Sequence, residues 1–147
     1  MLIRHYARCV ARPLGEIALA VKRLQVRHHR ALDAALTPFG MTLVQWDALR
    51  HLHENPGASL HDLALLTFQT DQSMGALAGR MIERGLIERM PAGGRAVRHR
   101  LTERGEQVRS EAQATVDGVL AESFAGLRDD EVEVLGELMA RLVTPTR

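Results

Sequence analysis

Arg95, Arg98 and Arg100 fall within six residues, directly after the turn sequence "PAGG". A guanidinium is a planar fork of donors that suits phosphate oxygens and groove edges. On an extended strand, alternation puts Arg98 and Arg100 on one face and Val97, His99 and Leu101 on the other. Arg95, at the turn, is placed to enter a minor groove, where narrow tracts attract arginine. The plainer reading is a solvated, charged hairpin.

A second candidate lies just upstream, in "TDQSMGALAGRMIERGLIER" at 70–89. At 100° per residue, Met74, Leu77, Ala78, Met81 and Ile82 share one side, which reads as core. Opposite them lie Gln72, Ala76, Gly79 and Glu83, flanked by Ser73 and Arg80. A helix with so bare a face can sit deep in a major groove. There Ala76 can meet a thymine methyl and Gln72 an adenine edge. Thr70 and Ser73, beside the helix N–H groups, suit phosphates. The alternative is that Gly75 and Gly79 are merely tolerated.

Other chemistry is thinner. Seven histidines invite a metal reading, but His51 and His53 are two apart and His28 and His29 adjacent. Neither spacing puts two ligands on one helical face, and there is no HExxH. The one cysteine, Cys9, rules out an internal disulfide framework and a multi-cysteine metal site. No nucleophile–base pair, phosphate loop or paired-acid constellation stands out. The expectation is a protein that is not an enzyme and uses no cofactor.

These residues need positioning, and the chain reads as mainly helical. From Pro13, apolar residues recur at three- and four-residue spacing: Leu14, Ile17, Ala18, Val21, Leu24, His28, Leu32, Ala35. "TPFG" at 37–40 stops that helix. Thr42 caps a second, bearing Leu43, Trp46, Leu49, Leu52 and His53 on one face. Ser59, with Asp62 three residues on, opens a third. After the short turn "TFQ", Thr70 opens the bare-faced helix, and Gly85 ends it. "LIERM" and "AVRHRL" around "PAGG" give the chain's one strand signal. Thr102 caps a long helix with Val108, Ala112, Val116, Val119, Leu120 and Phe124 on its stripe. Asp129 caps the last, with Val132, Leu135, Leu138, Met139 and Leu142. Two short helices joined by a tight turn and followed by a hairpin make a winged helix-turn-helix, a DNA-reading unit. The long amphipathic helices at either end have little to bury against in so small a chain, so a homodimer is expected.

Bulk properties agree. A length of 147 residues suits one domain. The net charge of +1 conceals blocks. Residues 1–30 hold seven basic groups against one acid, and 31–79 hold one against five. Residues 80–105 hold seven against three, and 106–147 hold four against nine. Such blocks suggest surfaces with distinct partners. No segment reaches the apolar length of a membrane span. The N-terminus has no continuous apolar core, so no signal peptide is expected. One cysteine fits a reducing compartment, and the cytoplasm is the expected location.

"LVQWDALRHL", "DLALLTFQTDQSMGALAGRMIERGLIERMP" and "GRAVRHRLTERG", in that order, resemble the MarR family of bacterial transcription regulators. The likeness spans about residues 14–143 and is strongest at 42–105. It implies a winged helix-turn-helix lobe at 41–105 and dimerisation helices at 1–40 and 106–147. It also implies a homodimeric repressor on palindromic double-stranded promoter DNA, released by a small-molecule effector. Thr70, Gln72, Ser73, Ala76, Arg80, Arg95 and Arg98 would meet DNA. The family's ligand cleft lies between the dimer helices and the DNA lobe, which makes His28, Trp46 and Arg50 candidates to line it. For Trp46, simple core packing is the stronger reading. Peroxide-sensing relatives carry a cysteine nearer Ala18, assisted by tyrosines. Cys9, between Arg8 and Arg12 with Tyr6 as the lone tyrosine, is a candidate redox site. Two features depart from the family. The wing is about two residues short and keeps Arg95 alone of the usual pair. Gly75 and Ala76 stand where Ser, Thr or Arg is usual. Two other readings remain: a winged-helix module that binds protein without DNA, and a thiol- or metal-responsive regulator.

Overall fold

Residues 12–91 and 97–144 are described by the structure, a computed structural model. Helix α1 (Leu14–Leu36) is followed by a single 3-10 turn, Thr37–Phe39, and then α2 (Leu43–Glu54), α3 (Leu60–Leu66) and α4 (Asp71–Glu83). Strands β1 (Ile87–Arg89) and β2 (His99–Leu101) precede α5 (Glu103–Phe124) and α6 (Asp129–Val143). The strands pair antiparallel, Ile87 against Leu101 and Arg89 against His99. This is the mainly α, winged helix-turn-helix architecture that the sequence implied.

Caps set most of the helix starts. The Thr42 hydroxyl accepts the Gln45 N–H at 3.2 Å, and the Gln45 side chain accepts the Thr42 N–H at 3.1 Å. Ser59 and Asp62 form the same reciprocal pair. Thr70 and Thr102 cap α4 and α5 through Ser73 and Gly105. Each satisfies a donor that the first helical turn leaves open. One expected cap is displaced. Asp129 does not cap α6: Arg128 holds the N-cap position, and its N–H donates to the Glu131 carboxylate at 2.9 Å. Asp129, Asp130 and Glu131 all lie in the first turn, where the helix dipole favours negative charge. Pro13 likewise sits one position outside α1.

Helix α4 ends in a left-handed Gly85 (φ 69°). The Gly85 N–H bonds the Ile82 carbonyl at 2.8 Å and the Leu86 N–H the Met81 carbonyl at 2.9 Å. This paired closure suits glycine because it requires positive φ. The chain then turns straight into the wing.

The core lies inside the lobe. Leu36, Leu49, Leu63, Met74, Met81, Leu86 and Ile87 are fully buried, joined by Ala112 and Val116 of α5. The outer helices are different. Among the described residues α6 buries none, and Leu14, Ile17, Val21, Leu138 and Leu142 are exposed. No described helix is long and apolar enough to cross a membrane.

One glycine is fixed by contact. A Cβ built on Gly105 would stand 1.9 Å from the Leu86 carbonyl oxygen, a backbone atom with no rotamer to yield. We expect Gly105→Ala to cost about 3 kcal/mol, since overpacking here must move backbone. Urea unfolding measures this, and an unchanged midpoint would contradict the contact.

Candidate functional site

The exposed face of α4 is the first element of the site. Met74, Leu77, Ala78 and Met81 are buried, while Gln72, Ser73, Gly75, Ala76, Gly79 and Arg80 are exposed. A Cβ on Gly75 or Gly79 would meet nothing within 4 Å. Packing within the chain therefore does not require either glycine, although each weakens the helix by about 1 kcal/mol relative to alanine. At the start of this face, Thr70 accepts the Ser73 N–H at 3.1 Å and donates its own hydroxyl to Ser73 Oγ at 3.0 Å. The two hydroxyls expected to face phosphates are thus bonded to each other. Beside them, His61 of α3 donates from Nδ1 to the Asp71 carboxylate at 2.9 Å. That hydrogen bond, aided by the Asp71 charge, raises the His61 pKa above its ordinary value.

The wing is the second element. Arg100 pairs with Glu88 across the strands at 2.7 Å. Arg98 is less available than its strand position suggested. Its guanidinium donates to the Gly57 carbonyl, and its backbone bridges to Ser59. It therefore braces the wing against the loop between α2 and α3. Arg95 lies outside the described residues, as does Cys9. On the opposite face of β2, His99 is buried, and its Nδ1 has no partner among the described residues. Val97, expected on that side, is exposed.

The third element is a groove of about 950 Å³ between α1, α6 and the edge of the lobe. Val21, Leu24, His28 and Leu32 contribute from α1, Val132, Leu135 and Met139 from α6. Leu43 and Phe68 reach it from the lobe. Of the three residues expected to line a ligand cleft, the structure brings only His28 here. Its Nε2 is hydrogen-bonded to the Ser123 hydroxyl, and its ring lies 5.2 Å from that of Phe124. Trp46 faces the core and donates its indole N–H to the Arg109 carbonyl at 3.3 Å. Arg50 is occupied by Asp47 and Glu54 at 2.7 and 3.0 Å on its own helix.

Sequence reasoning passed over Phe68, reading "TFQ" only as a turn. Phe68 is 94% exposed, with a left-handed backbone (φ 56°). A large apolar residue in a short polar turn was the available signal. His51 and His53 hold structural pairs. His53 bonds Glu106 at 2.9 Å, and Arg109 chiefly holds the Glu106 carboxyl below its ordinary pKa. Among the described residues no cluster of three His, Cys, Asp or Glu has the geometry to hold a metal ion.

Residues 39–96 match the MarR family model. The fold agrees with solved members. A MarR family protein of Mycobacterium tuberculosis in complex with salicylic acid is 29% identical, with 90% of this chain and 98% of that one covered and a TM-score of 0.73. The same protein in complex with DNA gives 26% identity, 91% and 100% coverage, and a TM-score of 0.74. A MarR family regulator of Rhodococcus sp. RHA1 gives 24% identity, 92% and 99% coverage, and a TM-score of 0.82.

Burial, with a smaller contribution from the Arg89 charge, holds the His99 pKa below its ordinary value of 6.5. The fold thus keeps His99 neutral where the unfolded chain takes up a proton. Stability should fall as pH drops below about 6.5, down to the folded pKa. Urea unfolding between pH 7.5 and 5 should show a shallower acid loss for His99→Leu than for the parent. Parallel curves would exclude His99 as the source.

Proposed function

We propose that this MarR-like winged-helix chain is a sequence-specific DNA-binding transcriptional regulator, a repressor acting as a homodimer on palindromic promoter DNA. The observation that carries the reading is the bare face of α4. Its apolar side builds the core, and its glycines have no packing role in the chain. A close-fitting partner outside the chain accounts for them. DNA is supported as that partner by the arginine-rich wing and by the M. tuberculosis relative solved with DNA. Gln72, Ala76 and Arg80 would face the groove, with the α4 N-terminus and Thr70–Ser73 near the backbone. Arg95 would reach outward from the wing, while Arg98 would act chiefly as a brace. Such a protein works in the cytoplasm and performs no catalysis.

The exposed stripes of α1 and α6 support the division proposed for the chain: residues 41–105 read DNA, and 1–40 with 106–147 dimerise. Two-fold symmetry would set two α4 helices about 34 Å apart, one DNA turn. The basic block at 1–30 and the acidic block at 106–147 would select the pairing.

The effector would be a small aromatic acid. Among the described residues, the polar groups lining the groove are Arg12, Gln25, His28 and His29, with no acid. This suits a carboxylate on an apolar ring, and the M. tuberculosis relative was solved with salicylic acid.

A gel shift against genomic fragments tests the reading, and absence of any shifted fragment would favour a protein-binding winged helix. Two variants test the face itself. Ala76→Glu should abolish binding without dissociating the dimer. Gly75→Ala with Gly79→Ala should raise stability by about 2 kcal/mol yet weaken DNA affinity, because added methyls hold the helix off the groove floor. Full affinity in both would place DNA elsewhere.

Dimerisation has its own test. Removing residues 128–147 should give monomers in sedimentation, while the lobe keeps its fold by circular dichroism. A truncated chain that remains a stable dimer would exclude α6 from the interface.

A further inference from the structure

We infer that His61, held in place by Asp71, is a contact of α3 to the DNA backbone, and that its proton tunes the strength of DNA binding. The inference rests on the proposed placing of the α4 N-terminus beside DNA, and it names a further contact and a regulation of that same site. Asp71 is the one charged side chain in the first turn of α4. The hydroxyls that flank it, Thr70 and Ser73, are bonded to each other. An uncompensated carboxylate here would repel the phosphates that the helix N–H groups attract.

His61 removes that conflict. Its Nδ1 lies 2.9 and 3.2 Å from the two Asp71 carboxylate oxygens, and both side chains are exposed. A carboxylate only accepts, so the bond fixes the proton on Nδ1. Nε2 has no hydrogen-bond partner among the described residues. In the protonated ring Nε2 carries a second N–H, which can donate to a phosphate oxygen with the added strength of a charged donor. Carboxylate, imidazolium and phosphate then alternate in sign. As a tie between α3 and α4 alone the pair contributes little, because both partners are so exposed.

The groups facing His61 decide when it holds the proton. Asp71 faces it from α4, and Asp62 from α3 itself. Asp62 is kept ionised by the Ser59 hydroxyl and N–H, with Arg98 beside the wing adding its charge. Helix α2 also packs on α3, and no charged group of α2 acts on His61. The hydrogen bond to Asp71 and the Asp71 charge raise the His61 pKa above its ordinary 6.5. Below 6.5 the ring is protonated and the pair is neutral. As pH rises through the raised value, the ring loses its charge, the pair becomes an anion, and Nε2 ceases to donate. DNA binding should therefore be strongest on the acid side and weaken as pH climbs.

The test uses the full chain and a duplex selected by the wild type from a random library at pH 6.0. DNA anisotropy is read at pH 6.0 and 8.5, over a series of salt concentrations, for wild type, His61→Gln and Asp71→Asn. Circular dichroism and sedimentation accompany each. Wild-type affinity should fall about tenfold between the two pH values, because each protomer loses a cation from the interface. The slope of log affinity against log salt should flatten by about one unit per protomer over the same range, which a purely structural pair would not produce. His61→Gln should bind at pH 6.0 as the wild type does at pH 8.5, and change less than about threefold between them. Asp71→Asn should bind at pH 8.5 at least about threefold more tightly than wild type, since no carboxylate is left uncompensated. A pH loss and a change of salt slope retained by His61→Gln overturn the inference alone. So does an Asp71→Asn protein no tighter than wild type at pH 8.5, or a His61→Gln protein that loses helical content, which would make the pair a structural tie. A wild type that selects no duplex overturns the DNA reading and the inference together.

Discussion

The fold turns on one close approach of backbone to backbone, that of Gly105 in α5 to the carbonyl of Leu86. Three hydrogen bonds gather at the same point. The Leu86 carbonyl accepts from the Thr102 N–H at 3.1 Å, the Thr102 hydroxyl donates to the Gly85 carbonyl at 2.6 Å, and that hydroxyl oxygen accepts the Gly105 N–H at 3.0 Å. The end of α4, the base of the wing and the start of α5 are thus joined within a few ångströms. The angle at which α4 stands to the wing, and both to the long helix, is set here. Gly85 contributes the left-handed turn that brings Leu86 to the junction. The wing strands, three residues each, are too short to fix that geometry alone.

Burial divides the chain unevenly. The lobe closes a core around Leu49, Leu63, Met74 and Met81 with help from α1 and α5. The two ends of the chain do not complete one. Their apolar stripes flank a groove and stay open to solvent, and the sequence places opposite charge in the two ends. Exposed apolar faces of this extent signal association. The lobe therefore has its stability largely within the chain, whereas the described parts of the outer helices leave apolar faces uncovered.

Much of this was legible from residue types. Thr42, Ser59, Thr70 and Thr102 announced four helix starts, because a short hydroxyl before an apolar period has one efficient use. The buried side of α4 followed from its period alone. Other features were hidden for physical reasons. In a helical pattern Gly105 reads as a cost, and only the fold brings the Leu86 carbonyl against it. A period assigns Trp46 and Arg50 to faces of α2 but not to neighbours, and their neighbours proved to be the core and two acids rather than the groove. Arg98 alternates correctly on its strand, yet a long side chain bends to whatever acceptor is near, here the Gly57 carbonyl. The left-handed backbone of Phe68 was hidden, because a large apolar residue in a turn announces no particular φ.

The bare face of α4 has a consequence for how such a protein changes over generations. Positions 72, 75, 76 and 79 are exposed, and a side chain added at either glycine strikes nothing in the chain. Most random substitutions destabilise, and selection discards those that fall below the threshold for folding. That filter is weak on this surface, since alanine or a longer residue replaces glycine there with a gain in helix propensity. New side chains can be sampled on this face while the core stays as it is. A duplicated copy could therefore change the surface it presents to a partner through a few steps that leave folding intact, retaining the junction at Gly105 and the wing beneath it. Its target would be the most evolvable property of the molecule, and its architecture the least.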